Sequence, residues 1–226
     1  MSYVMRDMPA AVPEPLLAKA REVETATIGH RRHMGFVDRE VRAMLPGCRI
    51  AGTAVTLALP GQDSTLLHHI VQFLRPNDIL VIDRLGDHKH AAVGGGVACA
   101  IKATGCVGVV IDGPCTDLAE IEQYDLPVWA RGVAPITTRL YDVGGSFNVD
   151  IACGSAVVHP GDLVVADPCG VLVMPADEAE ADVDWALGKQ AAEPEGHRQL
   201  MAGARLGERS GASAMVEAKL GRSASR

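Results

Sequence analysis

Apolar positions along the chain fall into runs whose period changes from segment to segment. Arg49 to Leu59 is dense in Val, Ile, Thr and Ala and reads as a strand, closed by the turn Pro60-Gly61. Asp63 or Ser64 then caps a helix in which Leu66, Leu67, Ile70, Val71 and Leu74 share one face at a 3.6-residue period, and Pro76 stops it. A short apolar strand, Ile79 to Asp83, leads to a glycine-rich loop ending at Gly94-Gly95-Gly96. An Ala-rich helix through Ala103 and a second apolar strand, Val107 to Ile111, follow. Strands apolar on both faces, joined by a helix, predict a β-α-β unit in a covered parallel sheet.

Ahead of this unit, Pro9 and Pro13 mark an arm, and a helix is expected over Glu14 to Glu24, ended by Gly29. Beyond it come a helix at Leu118 to Gln123, a strand at Pro127 to Ala130, several short β runs between Phe147 and Met174, and a helix from Ala176 to about Lys189. From Glu193 the chain turns polar, which predicts a terminal helix and a frayed tail. Pro76 to Asp83 is echoed by Pro160 to Asp167, each a turn feeding a strand that ends in a carboxylate, as if two such units lay side by side. The expected organisation is one α/β domain over 1–226, with a core near 49–186, an N-terminal arm 1–48 and a C-terminal helix and tail 187–226.

Composition narrows the fold class. Of 226 residues, 48% are hydrophobic and only 4% aromatic, so Ala, Val, Ile and Leu must fill the interior; this favours α/β over a β-sandwich. The net charge of −7, with Lys and Arg scattered, offers no footprint for nucleic acid. No apolar window reaches the ~20 residues of a membrane span, and no charged-then-apolar leader opens the chain, so a cytoplasmic protein without a membrane partner is expected. Six cysteines without a C-x-x-C pair read, for the most part, as small core residues in a reducing compartment.

Chemistry concentrates between Asp83 and Asp117. The triplet Gly94-Gly95-Gly96 lets backbone N–H groups approach an anion at a helix N-terminus, or alternatively permits close helix–strand packing. The second strand runs into Asp112-Gly113-Pro114-Cys115-Thr116-Asp117, with two carboxylates beyond a strand's carboxyl end, where α/β sheets collect ligands. Such a carboxylate could hold Mg²⁺ or Mn²⁺, or Asp117 could simply cap the helix at Leu118. Histidines gather in three places: His30 and His33 with Asp38, His68 and His69 after Asp63, and Asp87-His88-Lys89-His90. They are expected to wall part of a pocket, although surface histidines are the commoner case.

Gly94-Gly95-Gly96, then Gly105-x-x-Gly108-Val109-Val110-Ile111-Asp112-Gly113-Pro114, Asp117 and Leu126-Pro127-Val128-Trp129-Ala130-Arg131-Gly132, in this order, resemble the RraA-like family. That family includes 4-hydroxy-4-methyl-2-oxoglutarate/4-carboxy-4-hydroxy-2-oxoadipate aldolases and a ribonuclease regulator. The resemblance, over about Arg49 to Ala186, implies an α/β/α swivelling-domain-like core with a mixed sheet and extra terminal helices. It also implies a homo-oligomer, trimer or hexamer, with sites at subunit interfaces. The family's enzymes carry an Asp, twenty residues, then Arg-Asp; that register places Gly95 where the first Asp belongs and Thr116 where the Arg belongs, leaving Asp117.

By resemblance, Asp117 anchors the metal and the amides of Gly96, Val97 and Ala98 receive a substrate carboxylate, with Gly94, Gly95 and Asp112 beside them. Glu193 or Glu195 is the candidate for a neighbour's acidic group. An enolate oxyanion needs a donor that Thr116 does not supply, a loss of ~2.7–4 kcal/mol or ~10²–10³ in rate. Arg84 is expected to take over that charge, with His90 as a second candidate. The predicted function is a divalent-metal lyase on a small 2-oxo or hydroxy carboxylic acid, by aldol cleavage or decarboxylation. A different lyase reaction such as dehydration, or a non-catalytic regulatory protein, is the alternative. The absence of a strand–G-x-G-x-G loop argues against a methyltransferase.

Overall fold

The computed structural model describes residues 2–223. In chain order the elements are β1 (Tyr3–Met5), α1 (Glu14–Ala20), α2 (Thr25–Ile28), β2 (Arg42–Ala43), β3 (Ile50–Ala58), α3 (Thr65–Ile70), β4 (Asp78–Asp83), α4 (Gly95–Ala103), β5 (Gly108–Ile111), α5 (Leu118–Gln123), β6 (Val128–Ala130), β7 (Gly145–Phe147), β8 (Ile151–Cys153), β9 (Ala156–Val158), β10 (Leu163–Asp167), β11 (Gly170–Met174), α6 (Ala176–Met201), α7 (Leu206–Arg209) and α8 (Ala212–Ser223). A single 3-10 turn, Val71–Phe73, extends α3. The frayed tail expected beyond the last helix falls, for 224–226, outside the described residues. Two compact units are present, Met1–Ala186 and Leu187–Arg226.

The first unit is built on a mixed sheet ordered β1-β7-β3-β4-β5-β6-β2. β3, β4, β5 and β6 are mutually parallel, so their carboxyl ends open on one side. β3 is long enough to take two partners along one edge: β10 pairs antiparallel with Ile50 to Thr53, and β7 with Leu57 and Ala58. β11 pairs antiparallel with β10, and β8 and β9 form a separate hairpin.

Alternation along the strands feeds two cores. Val55, Leu57, Leu80, Ile82, Val109 and Ile111 point to one face, where they meet Leu66, Leu67 and Ile70 of α3, Ala98 and Ile101 of α4, and Ile121 of α5. Ala54, Ala58, Ile79, Val81, Val110 and Trp129 point to the other, against Val37, Val41 and the β8–β9 hairpin. Burial on both faces explains the continuous apolar runs, which are those of a covered parallel sheet. The expected α/β class, mixed sheet and terminal helices are therefore observed.

Differences from expectation have identifiable causes. The helix expected over Glu14 to Glu24 stops at Ala20 and a new one starts at Thr25. Its start is held from far away: Asp167 accepts from the Thr25 N–H and hydroxyl, both at 2.8 Å. The same carboxylate accepts from Cys169 and Gly170 N–H at the β10–β11 turn. The echo strands β4 and β10 both pair with β3, β4 parallel and β10 antiparallel to it. α6 runs to Met201, past the expected stop near Lys189, with Pro194 inside it.

Candidate active site

Segment 132–139 laces together the loops that leave β3, β4 and β5. Arg139 N–H donates to Gln62 O, Thr138 N–H to Ala91 O and Ala134 N–H to Cys115 O, while Ser64, Ala91 and Cys115 N–H donate back to Arg139, Ile136 and Gly132 O. The result is a cleft of about 530 Å³ at the carboxyl ends of the parallel strands, where open α/β sheets collect ligands. Its walls are the α3 face with Ser64, His68, Val71 and Gln72, the start of α4 with Gly94 to Val97, and Thr116, Asp117, Thr137 and Thr138.

Asp117 takes a left-handed backbone conformation, φ 54 and ψ 48, unusual for a residue with a side chain but tolerated by Asp. That turn swings its carboxylate away from its own helix. No side-chain bond caps α5; instead Oδ2 accepts from Gly95 N–H at 3.0 Å, at the start of α4. A carboxylate there meets an unfilled donor and the positive end of the helix. Oδ1 lies 3.3 Å from the Thr116 hydroxyl, which donates to it. Gly94 is required at this junction, because a Cβ would stand 2.6 Å from Asp117 Oδ2 and 2.8 Å from Thr116 Cγ2.

Not every expected site residue reaches the cleft. Gly94, Gly95, Gly96, Val97, Thr116 and Asp117 line it. Ala98 corrects the expected cradle: it is buried and its N–H is spent on Gly94 O at 2.8 Å. With Gly95 N–H engaged by Asp117, only Gly96 and Val97 remain as first-turn donors. Asp112 is also misplaced by the sequence reading, since its two oxygens accept from Arg131 Nε and from Gly154 N–H at 2.8 Å, and it does not line the cleft.

Arg84 and His90 require the same correction. The Arg84 side chain is fully buried; Nη2 donates to Gly61 O and to Asp87 Oδ2 at 3.2 Å, while Nε and Nη1 have no partner among the described residues. Burial pushes its pKa down against the pull of Asp87. His90 is tied to Asp87 Oδ2 at 2.9 Å, and the loop winds around that carboxylate through Lys89 and His90 N–H. Neither lines the cleft. The histidines do not form one wall: His68 lines it, His69 sits edge-on to Phe73, His88 lies by Glu40 and Arg131, and His33 lines a separate hollow with His159.

One residue went unnoticed in the sequence. A Cβ on Gly95 would coincide with the Glu120 carboxylate, so the space toward which a side chain at 95 would point is taken by Glu120. The sequence carried little signal for it, because Glu120 lies in the first turn of α5 and reaches the start of α4 only through tertiary packing. Among the described residues no group of three or more His, Cys, Asp or Glu is placed to hold a metal. The nearby donors are carboxylate and hydroxyl oxygens with open space beside them, a set suited to a hard cation that keeps most of its waters.

Residues 22–173 match the RraA-like family, described as Aldolase/RraA. A provisionally named 4-hydroxy-4-methyl-2-oxoglutarate aldolase of Halalkalibacterium halodurans is 32% identical over 143 residues, 63% of this chain and 68% of that protein. One of Cupriavidus necator, with the same provisional name, is 33% identical over 61% of this chain and 87% of its own length. Among solved structures, Streptomyces coelicolor RraAS2, described as an unusual member of the RNase ES inhibitor RraA protein family, superposes with a TM-score of 0.74 at 26% identity, covering 83% of this chain and 98% of that one. With its sheet, its glycine-started helix and its matched span in agreement, the chain belongs to the RraA-like family.

Proposed function

We propose that the chain is a divalent-cation-dependent lyase acting on a small 2-oxo acid, by aldol cleavage or by decarboxylation of an oxaloacetate-like substrate. The observation that carries this reading is the Asp117 carboxylate, swung by its left-handed backbone onto the N-terminus of α4 at the edge of a polar cleft. Capping of α5 does not account for the carboxylate's position, since it makes no side-chain bond to that helix. The names of the aldolase relatives support the same class.

In this reading Mg²⁺ or Mn²⁺ is held by Asp117, with Glu120 one turn along, and when bound draws negative charge toward the substrate's 2-oxo oxygen. The free N–H groups of Gly96 and Val97 receive the substrate carboxylate, as helix N-termini do. Val133, Ile136, Leu140, Tyr141 and Val143 are exposed apolar residues of the segment that supplies Thr137 and Thr138 to the cleft, and we include a homo-oligomer, trimer or hexamer, in the proposal. Light scattering on the purified chain reads that part.

The test of the reaction is pyruvate release from oxaloacetate and from 4-hydroxy-4-methyl-2-oxoglutarate with Mg²⁺, measured above a metal-only blank. Turnover of either supports the lyase; none, with cation binding intact, rejects it. A non-catalytic regulator of a ribonuclease is the second reading, favoured by Thr116 and by a cleft lining without Arg or Lys. It expects no turnover and inhibition of an RNase E-type nuclease on addition of the chain.

A further inference from the structure

We propose that His68 is the residue that donates to the oxyanion forming on the substrate's 2-oxo oxygen, the work a charged side chain at position 116 would otherwise do. The proposal rests on the lyase reading above. Among the described residues lining the cleft, the ionisable side chains are one carboxylate, Asp117, and one imidazole, His68.

The position of His68 follows from α3. Leu66, Leu67 and Ile70 bury one side of that helix, and Ser64, His68 and Gln72, spaced four apart, share the side turned to the cleft. His68 N–H donates to Ser64 O at 3.1 Å, and Asp63 holds the helix start by accepting from Thr65 N–H at 3.0 Å. The imidazole is therefore carried on a packed element, with no hydrogen-bond or ion-pair partner of its own among the described residues.

Most competing side-chain donors of the lining are occupied. The Gln72 amide donates to His69 O at 2.8 Å, the Ser64 hydroxyl to Arg139 O at 3.3 Å, the Thr138 hydroxyl to Ala91 O at 3.5 Å and the Thr116 hydroxyl to Asp117. Arg84 and His90 are committed elsewhere. Beside the Thr137 hydroxyl, which accepts from Arg139 Nη1 at 3.0 Å, the His68 imidazole is the side-chain donor that the cleft lining leaves without a partner among the described residues.

In decarboxylation of oxaloacetate, the C3–C4 bond breaks and its electron pair moves into C2–C3 while the C2 carbonyl pair moves onto oxygen. CO₂ leaves, and a proton from water then adds at C3 to give pyruvate. His68 acts on the middle of that sequence, its N–H aimed at the oxygen that gains charge. A donor of this kind is worth ~10²–10³ in rate.

The full chain is compared with His68→Ala, His68→Gln and His69→Ala for pyruvate release with Mg²⁺, and for oxalate and pyruvate affinity by calorimetry. Expected is a ~10²–10³-fold fall in kcat for His68→Ala with KM little changed, as for a group acting mainly in the transition state. Oxalate, which mimics the enolate, should bind His68→Ala at least about tenfold more weakly while pyruvate affinity holds. His68→Gln should recover part of the rate through its amide N–H, and His69→Ala should match the unsubstituted chain. A His68→Ala protein with kcat within about threefold and unchanged oxalate affinity overturns this proposal alone. A wild-type chain that neither releases pyruvate nor binds oxalate overturns the lyase reading and this one with it.

Discussion

Asp63 accepts four hydrogen bonds, from Thr65 N–H at 3.0 Å, the Thr65 hydroxyl at 2.6 Å, Tyr141 N–H at 2.9 Å and Val143 N–H at 2.8 Å. Burial alone would raise its pKa, but the Thr65 hydroxyl and the three backbone donors outweigh it and pull the carboxyl down to about 2. A depressed acid stabilises the fold above its unfolded pKa near 4, and that stabilisation is lost as pH falls from about 4 toward 2. Asp63→Asn should therefore cost about 2 kcal/mol at pH 7 in urea unfolding, with the gap to wild type closing as pH approaches 2. Equal stability at pH 7 would contradict this. Arg84 calls for a different measurement: since its side chain is sealed behind Gly61, Asp87 and His90, Arg84→Met should leave Mn²⁺ affinity within about twofold, a margin of only ~0.4 kcal/mol. A tenfold loss in a folded variant would place Arg84 back in the site. Sequence position did not distinguish Arg84 from a cleft residue, because following a strand's carboxyl end says nothing about which face the side chain takes.

At the level of elements, the start of α4 joins fold and site. Gly94→Ala forces a Cβ against Asp117 Oδ2 and Thr116 Cγ2, and should dislodge the carboxylate from Gly95 N–H at a cost of about 1 kcal/mol, the usual worth of a helix N-cap. Gly96 has open space around its missing Cβ, so Gly96→Ala should stabilise by up to about 1 kcal/mol through helix propensity. Opposite signs in denaturant unfolding are the expected outcome; a stabilised Gly94→Ala would show that nothing is packed there. The periodic segments were legible: α5 was expected over Leu118 to Gln123, and β3, β4 and α4 to within a residue or two. What escaped were features held by distant partners. The α2 start depends on Asp167, and the Asp117 carboxylate depends on a backbone turn and an N–H twenty-two residues earlier. Local propensity left Asp117 open between capping α5 and holding a cation, and tertiary geometry took its carboxylate to Gly95 N–H instead of to its own helix.

Across the whole molecule, the parallel strands β3, β4 and β5 sit inside the sheet, with β1 and the two-residue β2 at its ends. Amide exchange should accordingly be slowest in β3 to β5 and fastest in β1, whose three residues are all exposed and which pairs only with β7. Faster exchange in β4 than in β1 would contradict the placement of the core. Among the described residues no helix is long and apolar enough to cross a membrane. The apolar runs made the layered architecture readable. The cleft was not, because three loops and segment 132–139 meet there only in the folded chain. The measurement that bears most directly on the site is Mn²⁺ titration followed by electron paramagnetic resonance, comparing wild type with Asp117→Asn. Saturable binding in the wild type, weakened at least about tenfold or ~1.4 kcal/mol in a variant that still folds, is the predicted result. Equal Mn²⁺ affinity in the two proteins, or no binding in either, would contradict a cation held by Asp117.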